Sequence, residues 1–256
     1  MRIDLYLYQN GFVKSRQKAK SLIEGGAVKV NGNIITKPSF DITSDDNLIE
    51  IDDMCPYVSR GGLKLDAILK ITNADINDKV CLDIGASTGG FTHCLLLNGA
   101  KKVYSVDSGT NQLASELLNN PRVISIEGFN AREISIEDIG ETVDIITIDV
   151  SFISQNLIMP NASKLLKDDG IYFSLIKPQF EVGRALIGKG GIVKDKNARS
   201  FAIKSVIDCA SQCGLVCTML TKSPIQGGDG NVEYLATFSR FGQKISEDVI
   251  KKIAYE

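Results

Sequence analysis

Val80 to Phe91 reads V-C-L-D-I-G-A-S-T-G-G-F, and this stretch decides the fold of the chain. The pattern predicts an apolar strand over Val80 to Ile84, a glycine-rich turn over Gly85 to Gly90, and a helix that starts near Phe91. Glycines let the backbone approach a ligand closely, and the first N–H groups of a helix are available to bind it. The stretch therefore predicts a cradle for a nucleoside cofactor.

The glycine spacing helps to separate two kinds of cofactor. The dinucleotide fingerprint G-x-G-x-x-G requires a glycine at the position of Ser87. Asp83 in the strand, followed by Gly89 and Gly90, instead favours the first motif of a methyltransferase that binds S-adenosylmethionine (SAM). An NAD-type cofactor and a purely structural turn remain alternatives at this point.

Composition limits the protein classes that the chain can belong to. Its 256 residues suffice for two domains, and 43% hydrophobic with 23% charged residues is typical of globular proteins. The apolar runs are shorter than the roughly 20 residues that cross a bilayer, and no basic-then-apolar leader is present. We therefore expect a cytoplasmic protein. Its six cysteines, which lack the spacing of a metal site, are expected to be free thiols.

The first 53 residues have an uneven charge distribution. Residues 1–37 carry a local net charge of +5, whereas residues 38–53 hold six acidic side chains and no basic one. A helix predicted over Arg16 to Glu24 has basic side chains on both flanks of an apolar stripe. The stripe holds Ala19, Leu22 and Ile23, and the flanks hold Lys14, Arg16, Lys18 and Lys20. The pattern predicts a phosphate-facing surface, with a solvated amphipathic helix as the alternative.

A helix, a glycine turn, a strand and a hairpin follow one another in G-F-V-K-S-R-Q-K-A-K-S-L-I-E-G-G-A-V-K-V-N-G. This order, with Asn31-Gly32 as the hairpin turn, resembles the S-four-type RNA-binding module. The resemblance implies contacts with the phosphates of structured RNA, made by Arg2, Lys14, Arg16, Lys18 and Lys20. We predict an RNA-binding domain over 1–53, a linker over 54–58 that contains Pro56, and a second domain over 59–256.

Beyond residue 59, seven apolar strand patterns alternate with helices, one of which is predicted over Leu157 to Leu166. This alternation predicts an α/β fold with a mostly parallel seven-stranded sheet covered by helices on both faces. We expect the last strand, which ends at Phe238, to pair antiparallel with the sixth. Ligands of such sheets bind beyond the carboxyl ends of the strands.

Charged side chains are predicted to gather at this carboxyl edge. Asp83, Asp107, Asp149 and Lys177 each end or follow an apolar strand, and Glu233 begins the last strand. Asp107 is placed to accept hydrogen bonds from a ribose diol. The sequence pattern does not fix the position of Lys64. Charges at such an edge are costly to bury unless they are paired, and for each of these residues an ordinary surface or hinge position is the alternative.

Six runs carry a closer resemblance: Y-V-S-R-G-G-L-K-L, D-I-G-A-S-T-G-G-F-T, G-T-N-Q-L, D-V-S-F-I-S, I-K-P-Q-F-E and G-G-D-G-N-V-E. They resemble the TlyA family of ribosomal RNA 2'-O-methyltransferases, once called haemolysin A, in which an RNA-binding module is joined to an FtsJ-like domain. The resemblance implies a Rossmann-like SAM-dependent methyltransferase with a small α+β N-terminal domain. It also implies ribosomal RNA or ribosomal subunits as partners, with cytidine methylated in large-subunit RNA and, by longer members, in small-subunit RNA.

The same resemblance assigns the site residues. A catalytic tetrad falls on Lys64, Asp149, Lys177 and Glu233. SAM contacts fall on Asp83, Gly85, Ser87, Gly89, Gly90, Phe91, Asp107 and Asn130, with Asp107 at the ribose and Asn130 near the adenine. Lys177 is expected to act as the base or to position the 2'-hydroxyl, and the carboxylates orient the lysines without a metal. His93 stands where members often carry an acid, and we expect no catalytic role for it.

Three rival functions make different demands on the sequence. A base methyltransferase requires an N-P-P-Y-like loop or a catalytic cysteine after proline, whereas Val-Ser-Phe follows Asp149 here. A non-catalytic RNA-binding assembly factor for the ribosome has no need of the tetrad. A pore-forming haemolysin requires a leader or a spanning segment, so stable membrane insertion is not expected.

Overall fold

The computed structural model describes residues 1–13, 15–24, 26–43, 48–51, 55–227 and 230–256. The chain divides into two compact units, Met1–Arg60 and Gly61–Glu256. Lys14, a predicted RNA contact, lies outside the described residues, as does the first residue of the predicted linker, Met54. The exact domain and linker boundaries predicted from the sequence therefore stay predictions.

Two helices and a small antiparallel sheet build the first unit. In chain order these elements are α1 (Ile3–Gln9), α2 (Arg16–Glu24), β1 (Val28–Val30), β2 (Asn33–Ile35) and β3 (Ile49–Ile51). Strand β1 lies between β2 and β3, and Asn31 and Gly32 take the left-handed conformations of the predicted hairpin turn. The predicted apolar stripe of α2 is buried against Ile3 and Leu7 of α1, which confirms that this face of the helix packs in the core of the unit.

A buried carboxylate joins the starts of the two helices in the first unit. Asp4 is fully buried and accepts hydrogen bonds from Arg2 Nε and Nη2 at 3.1 Å and from Arg16 Nε at 3.0 Å. Although burial raises the pKa of Asp4, the hydrogen bonds from Arg16 and Arg2 outweigh it and hold this pKa below its ordinary value. Two of the predicted RNA contacts thus also have a structural partner, while each keeps nearly half of its side chain exposed.

Seven strands form one sheet in the second unit. They are β4 (Val80–Ile84), β5 (Lys102–Val106), β6 (Val123–Ile126), β7 (Val143–Ile148), β8 (Leu166–Ile176), β9 (Val216–Lys222) and β10 (Tyr234–Ser239). Their order across the sheet is β6-β5-β4-β7-β8-β10-β9, with β10 antiparallel to both neighbours and the other pairings parallel. The predicted mostly parallel sheet with an antiparallel last strand is confirmed.

The helices of this unit lie before, between and after the strands of the sheet. They are α3 (Gly61–Thr72), α4 (Gly90–Leu97), α5 (Ser115–Leu118), α6 (Ile136–Ile139), α7 (Met159–Ala162), α8 (Pro178–Glu181), α9 (Lys196–Gln212) and α10 (Glu247–Tyr255). Helix α3 packs against α4, and α9 packs against both α8 and α10. Because β4, β5, β7 and β8 run parallel and β10 runs antiparallel to them, the ends of the first four strands and the start of β10 meet at one edge of the sheet.

The prediction of one continuous helix over Leu157 to Leu166 is wrong. The segment instead forms a 3-10 turn, the single helical turn α7, and a second 3-10 turn before β8 begins at Leu166. Pro160 has no N–H to donate to the carbonyl of Asn156, so the first turn cannot continue as an α-helix. Ser163 Oγ also donates to the Pro160 carbonyl at 3.3 Å, which satisfies that oxygen without a helical backbone bond.

Replacing the buried carboxylate of the first unit tests its role. Asp4→Asn leaves two guanidinium groups without their charge partner, so we expect a loss of about 1–3 kcal/mol in the stability of this unit. Hydrogen–deuterium exchange of the α2 amides in the full chain would measure the change. The control is Asp41→Asn, which alters an exposed carboxylate 3.9 Å from the amino terminus. Unchanged protection of α2 in Asp4→Asn would contradict the assignment.

Candidate active site

A cavity of about 450 Å³ opens at the carboxyl edge of the second unit. Its wall comes from the ends of β4, β5 and β7 and from the segment after β6, and its volume is within the range of small-molecule sites. The predicted site residues that line it are Gly85, Ser87, Asp107, Asn130 and Asp149. The sheet therefore brings together residues that are up to 64 positions apart in the sequence.

The glycine turn after β4 has two kinds of glycine. Gly85 has φ +82°, and a Cβ added there would lie 2.3 Å from the carbonyl oxygen of Asp149, so no side chain fits. Gly89 has φ +94°, but a Cβ there would collide with Leu117 of α5 rather than enter the cavity. Gly89, Gly90 and Phe91 do not line the cavity, and the last two begin the buried α4. Their predicted SAM contacts stay predictions.

Asp107 fixes the backbone around the cavity. Its two carboxylate oxygens accept the N–H groups of Ser87 and Gly109, each at 2.7 Å. A carboxylate oxygen can accept more than one hydrogen bond, so this arrangement leaves capacity for ribose hydroxyls. Asn130 also lines the cavity, but its side chain accepts from Arg132 N at 3.3 Å and donates to Glu133 at 2.7 Å, which caps the following turn.

The sequence reasoning missed Glu127, which holds the loop after β5. Its carboxylate accepts the N–H groups of Asn111, Gln112 and Leu113 at 2.6, 2.9 and 3.1 Å. These hydrogen bonds, that of Leu113 foremost, lower the pKa of Glu127. The G-T-N-Q-L run that marks this loop was visible in the sequence, but its acidic partner lies 14 or more residues further on.

Asp83 lies behind the cavity wall. It is fully buried, and its two oxygens accept the hydroxyl groups of Thr92 at 2.7 Å and Thr147 at 2.8 Å. Burial raises the pKa of Asp83 to about 6, against the opposing effect of these hydrogen bonds. Asp83 thus braces β4 against α4 and β7, and its predicted contact with the methionine part of SAM stays a prediction.

The first of two ion pairs lies where β7 and β8 end. Lys177 Nζ is 2.5 Å from Asp149 Oδ1 and donates to Ser151 Oγ at 3.0 Å. The side chains of Lys177 and Asp149 are only 12% and 19% exposed. The Asp149 backbone N–H also donates to the Ile84 carbonyl, which ties this pair to the strand that carries the glycine turn.

The second ion pair joins residues that are 169 positions apart. Lys64 Nζ of α3 donates to Glu233 Oε2 at 2.5 Å, and both side chains are buried. Gly227 leaves room for this pair, because a Cβ there would lie 2.6 Å from Glu233 Oε1 and the carboxylate would have to shift. The sequence pattern did not predict the position of Lys64 in the fold. The structure places Lys64 in the first turn of α3.

Strand register brings the two ion pairs side by side. Tyr234 of β10 pairs with Ile176 of β8, so the next position outward sets Glu233 opposite Lys177 on strands about 4.8 Å apart. Lys64, which is buried, and Lys177, which is half-buried, each have a carboxylate partner, which offsets the cost of desolvating the charges. Such a site can hold a hydroxyl oxygen close to a positive charge next to the cavity.

A ladder of side chains joins the segment after β7 to α8. Phe152 and Phe180 lie with ring centroids 5.3 Å apart, and Phe152 takes a left-handed conformation with φ +64°. Glu181 accepts the Ser154 hydroxyl at 2.5 Å and the Gln155 N–H at 3.0 Å, and burial raises the pKa of its carboxyl. Glu181 was visible in the I-K-P-Q-F-E run, but no local pattern indicated its partners.

Two protein families match the chain. The FtsJ-like methyltransferase family matches residues 57–240, and the S4 domain family matches residues 1–48. Among the described residues, no helix combines the length and the apolar character needed to span a membrane.

Named relatives and a solved structure resemble the chain over most of its length. Hemolysin A of Brachyspira hyodysenteriae is 45% identical over 93% of this chain and 99% of the relative. The 16S/23S rRNA (cytidine-2'-O)-methyltransferase TlyA of Mycobacterium tuberculosis is 39% identical over 91% of this chain and 87% of the relative. A solved Streptococcus thermophilus protein, provisionally named a hemolysin, has a TM-score of 0.79 at 40% identity and covers 100% of this chain and 94% of that chain.

The raised pKa of Asp83 predicts a pH dependence of stability. Between its ordinary value of 3.8 and about 6, the folded chain keeps a proton that the unfolded chain has released. The contribution of Asp83 to stability is therefore fullest at low pH and falls by roughly 3 kcal/mol as pH rises through this window.

Asp83→Asn is expected to remove most of this fall, measured as the free energy of unfolding in urea between about pH 4 and pH 7. Asp208→Asn, an exposed carboxylate on α9, is the control and should keep the wild-type pH dependence. Parallel pH profiles for wild type and Asp83→Asn would show that Asp83 is ionised throughout.

Glu181 is expected to hold the segment after β7. Glu181→Ala removes both acceptors, so the Gln155 amide should exchange with deuterium about tenfold faster, the equivalent of one lost hydrogen bond. Glu181→Gln keeps an acceptor for that amide and a partner for the Ser154 hydroxyl, so it should exchange almost as slowly as wild type. Equal exchange rates in all three proteins would rule this role out.

Proposed function

The chain belongs to the TlyA family, whose catalytic unit is an FtsJ-like methyltransferase, and from this premise we propose that it methylates ribose 2'-hydroxyl groups of ribosomal RNA with SAM. The observation that carries the proposal is the adjacency of two lysine–carboxylate pairs, one buried and one half-buried, of which Asp149 lines the cavity. By analogy with the named relatives, the target nucleotide is cytidine. Mapping of ribose methyl groups on the RNA of both ribosomal subunits gives the number of target sites and the subunit that carries them.

The cavity residues fit SAM. Gly85 allows the backbone to approach a ligand closely, Asp107 retains acceptor capacity for ribose hydroxyls, and Ser87 and Asn130 complete the polar wall. When bound, SAM supplies a methyl group on a positively charged sulfur, which is open to attack by an oxygen nucleophile. The chain has to hold that oxygen in line and stabilise the charge that develops on it.

Lys177 is the residue proposed to hold the 2'-oxygen. An ammonium group has three N–H donors, and Ser151 Oγ accepts one of them, while the Asp149 carboxylate lies within ion-pair distance, so donor capacity remains for the substrate. As the hydroxyl releases its proton to solvent, the nearby positive charge of Lys177 stabilises the developing alkoxide. Asp149 keeps the ammonium in position, and the Lys64–Glu233 pair keeps a second positive charge neutralised close by.

The first unit is proposed to bind RNA. Its match to the S4 domain and the basic side chains of Arg2, Arg16, Lys18 and Lys20 support contacts with phosphates, and Lys14 belongs to the same proposal. A cytoplasmic location and the absence of membrane insertion stay predictions. A purely RNA-binding assembly factor has no use for two adjacent ion pairs that are largely removed from water, because their desolvation is costly.

The Lys177 assignment is tested on ribosomal subunits incubated with SAM, with ribose methyl groups mapped by mass spectrometry. Lys177→Ala is expected to lower the methylation rate by about 10²–10³-fold, because it removes the charge beside the alkoxide. SAM affinity, measured by calorimetry, should stay close to that of wild type because the cavity wall is intact.

Lys167→Ala is the matched control. Lys167 lies 2.7 Å from Asp144, and this pair joins the same two strands at the opposite edge of the sheet. The control variant should methylate at the wild-type rate. Full activity of Lys177→Ala, or equal losses in both variants, would contradict the proposed role.

A further inference from the structure

The segment 183–194, here called the basic loop, connects α8 to α9 and reads G-R-A-L-I-G-K-G-G-I-V-K. It carries Arg184, Lys189 and Lys194 and no acidic residue, although residues 61–256 as a whole hold 21 basic and 23 acidic side chains. All three cations are exposed, and none is in an ion pair within the part of the chain that the structure describes. The proposed function of the ion-pair site does not use this charge.

The topology places the basic loop at the edge that carries the ion pairs. Strands β8 and β9 are parallel to each other because both are antiparallel to β10, so α9 has to cross back from the carboxyl edge. The loop precedes α9 and begins six residues after Lys177. Its exposed cations therefore lie at the same carboxyl edge of the sheet as the cavity.

A buried amide fixes the shape of the loop. Asn231 is 1% exposed, accepts the Val193 N–H at 3.0 Å and donates to the Gly191 carbonyl at 3.0 Å. Val193 itself is buried in a small apolar cluster with Val182 and the first turns of α9. Asn231 lies two residues before Glu233, so the segment that positions the second ion pair also anchors the basic loop.

We propose that the basic loop binds the phosphates of the RNA strand that carries the target nucleotide. This inference rests on the proposed function and gives the catalytic unit its own contact with the RNA backbone, separate from the S4-like unit. Exposed cations on a structurally fixed loop suit a polyanion, because their charge is not neutralised within the chain and little of the loop backbone has to be ordered on binding. Phosphate contacts of this kind set position and register rather than sequence preference.

The full chain with Arg184→Ala, Lys189→Ala and Lys194→Ala together tests the inference. Binding of ribosomal RNA is measured as a function of salt, and loss of up to three phosphate contacts should reduce the slope of log K against log salt by about 2. KM for RNA should rise about tenfold or more, whereas kcat at saturating RNA and SAM affinity should stay within about threefold of wild type. Retained SAM affinity also shows that the variant is folded, and Lys189→Ala alone should show a smaller change in the same direction.

The matched control removes three exposed lysines elsewhere on the unit, Lys101, Lys244 and Lys251, of which the first two lie beyond the opposite ends of the strands. A salt slope and KM equal to those of this control would overturn the inference. Weaker binding of ribosomal subunits with unchanged binding of naked ribosomal RNA would also overturn it, and would assign the loop to a ribosomal protein. An inactive wild-type enzyme would instead refute the proposed function, so the two failures are distinguishable.

Discussion

The contact between Lys177 and Asp149 depends on two neighbouring parallel strands that end at the same edge of the sheet. Strands β7 and β8 bring the two side chains to 2.5 Å, and the Asp149 backbone in turn packs against Gly85 at the end of β4. The ion pair of Lys177 and Asp149 and the cavity consequently share one backbone segment. A side chain at Gly85 would push the two apart, which explains why the turn requires glycine there.

Burial has opposite consequences for the carboxylates near this edge. Asp149 and Glu233 each have an ammonium partner, which offsets the cost of taking them out of water. Asp83 has hydroxyl partners and, among the described residues, no ammonium partner, and burial raises its pKa to about 6. The same sheet thus keeps two carboxylates paired with lysines and uses a third as a hydrogen-bonded brace behind the cavity wall.

Loops around the site are held by single polar side chains, and the basic loop is also held by a small apolar cluster around Val193. Glu127 accepts hydrogen bonds from three backbone N–H groups after β5, and Glu181 accepts from the turn after β7. Asn231 makes hydrogen bonds to the backbone of the basic loop. Each of these residues lies on a different segment from the loop that it holds. The site is therefore a set of loops cross-braced at the end of a rigid sheet, which is how exposed segments can keep a defined geometry.

The sequence by itself determined the local elements and the type of fold. The strand–glycine–helix pattern of residues 80–91, the stripe of α2 and the antiparallel last strand are set by periodicity and turn chemistry, which act between near neighbours. Only the tertiary structure decided that Lys64 meets Glu233, that Arg2 and Arg16 share Asp4, and that Asp83 lies behind the cavity. These contacts are set by strand register and by packing between distant segments, which no local pattern encodes.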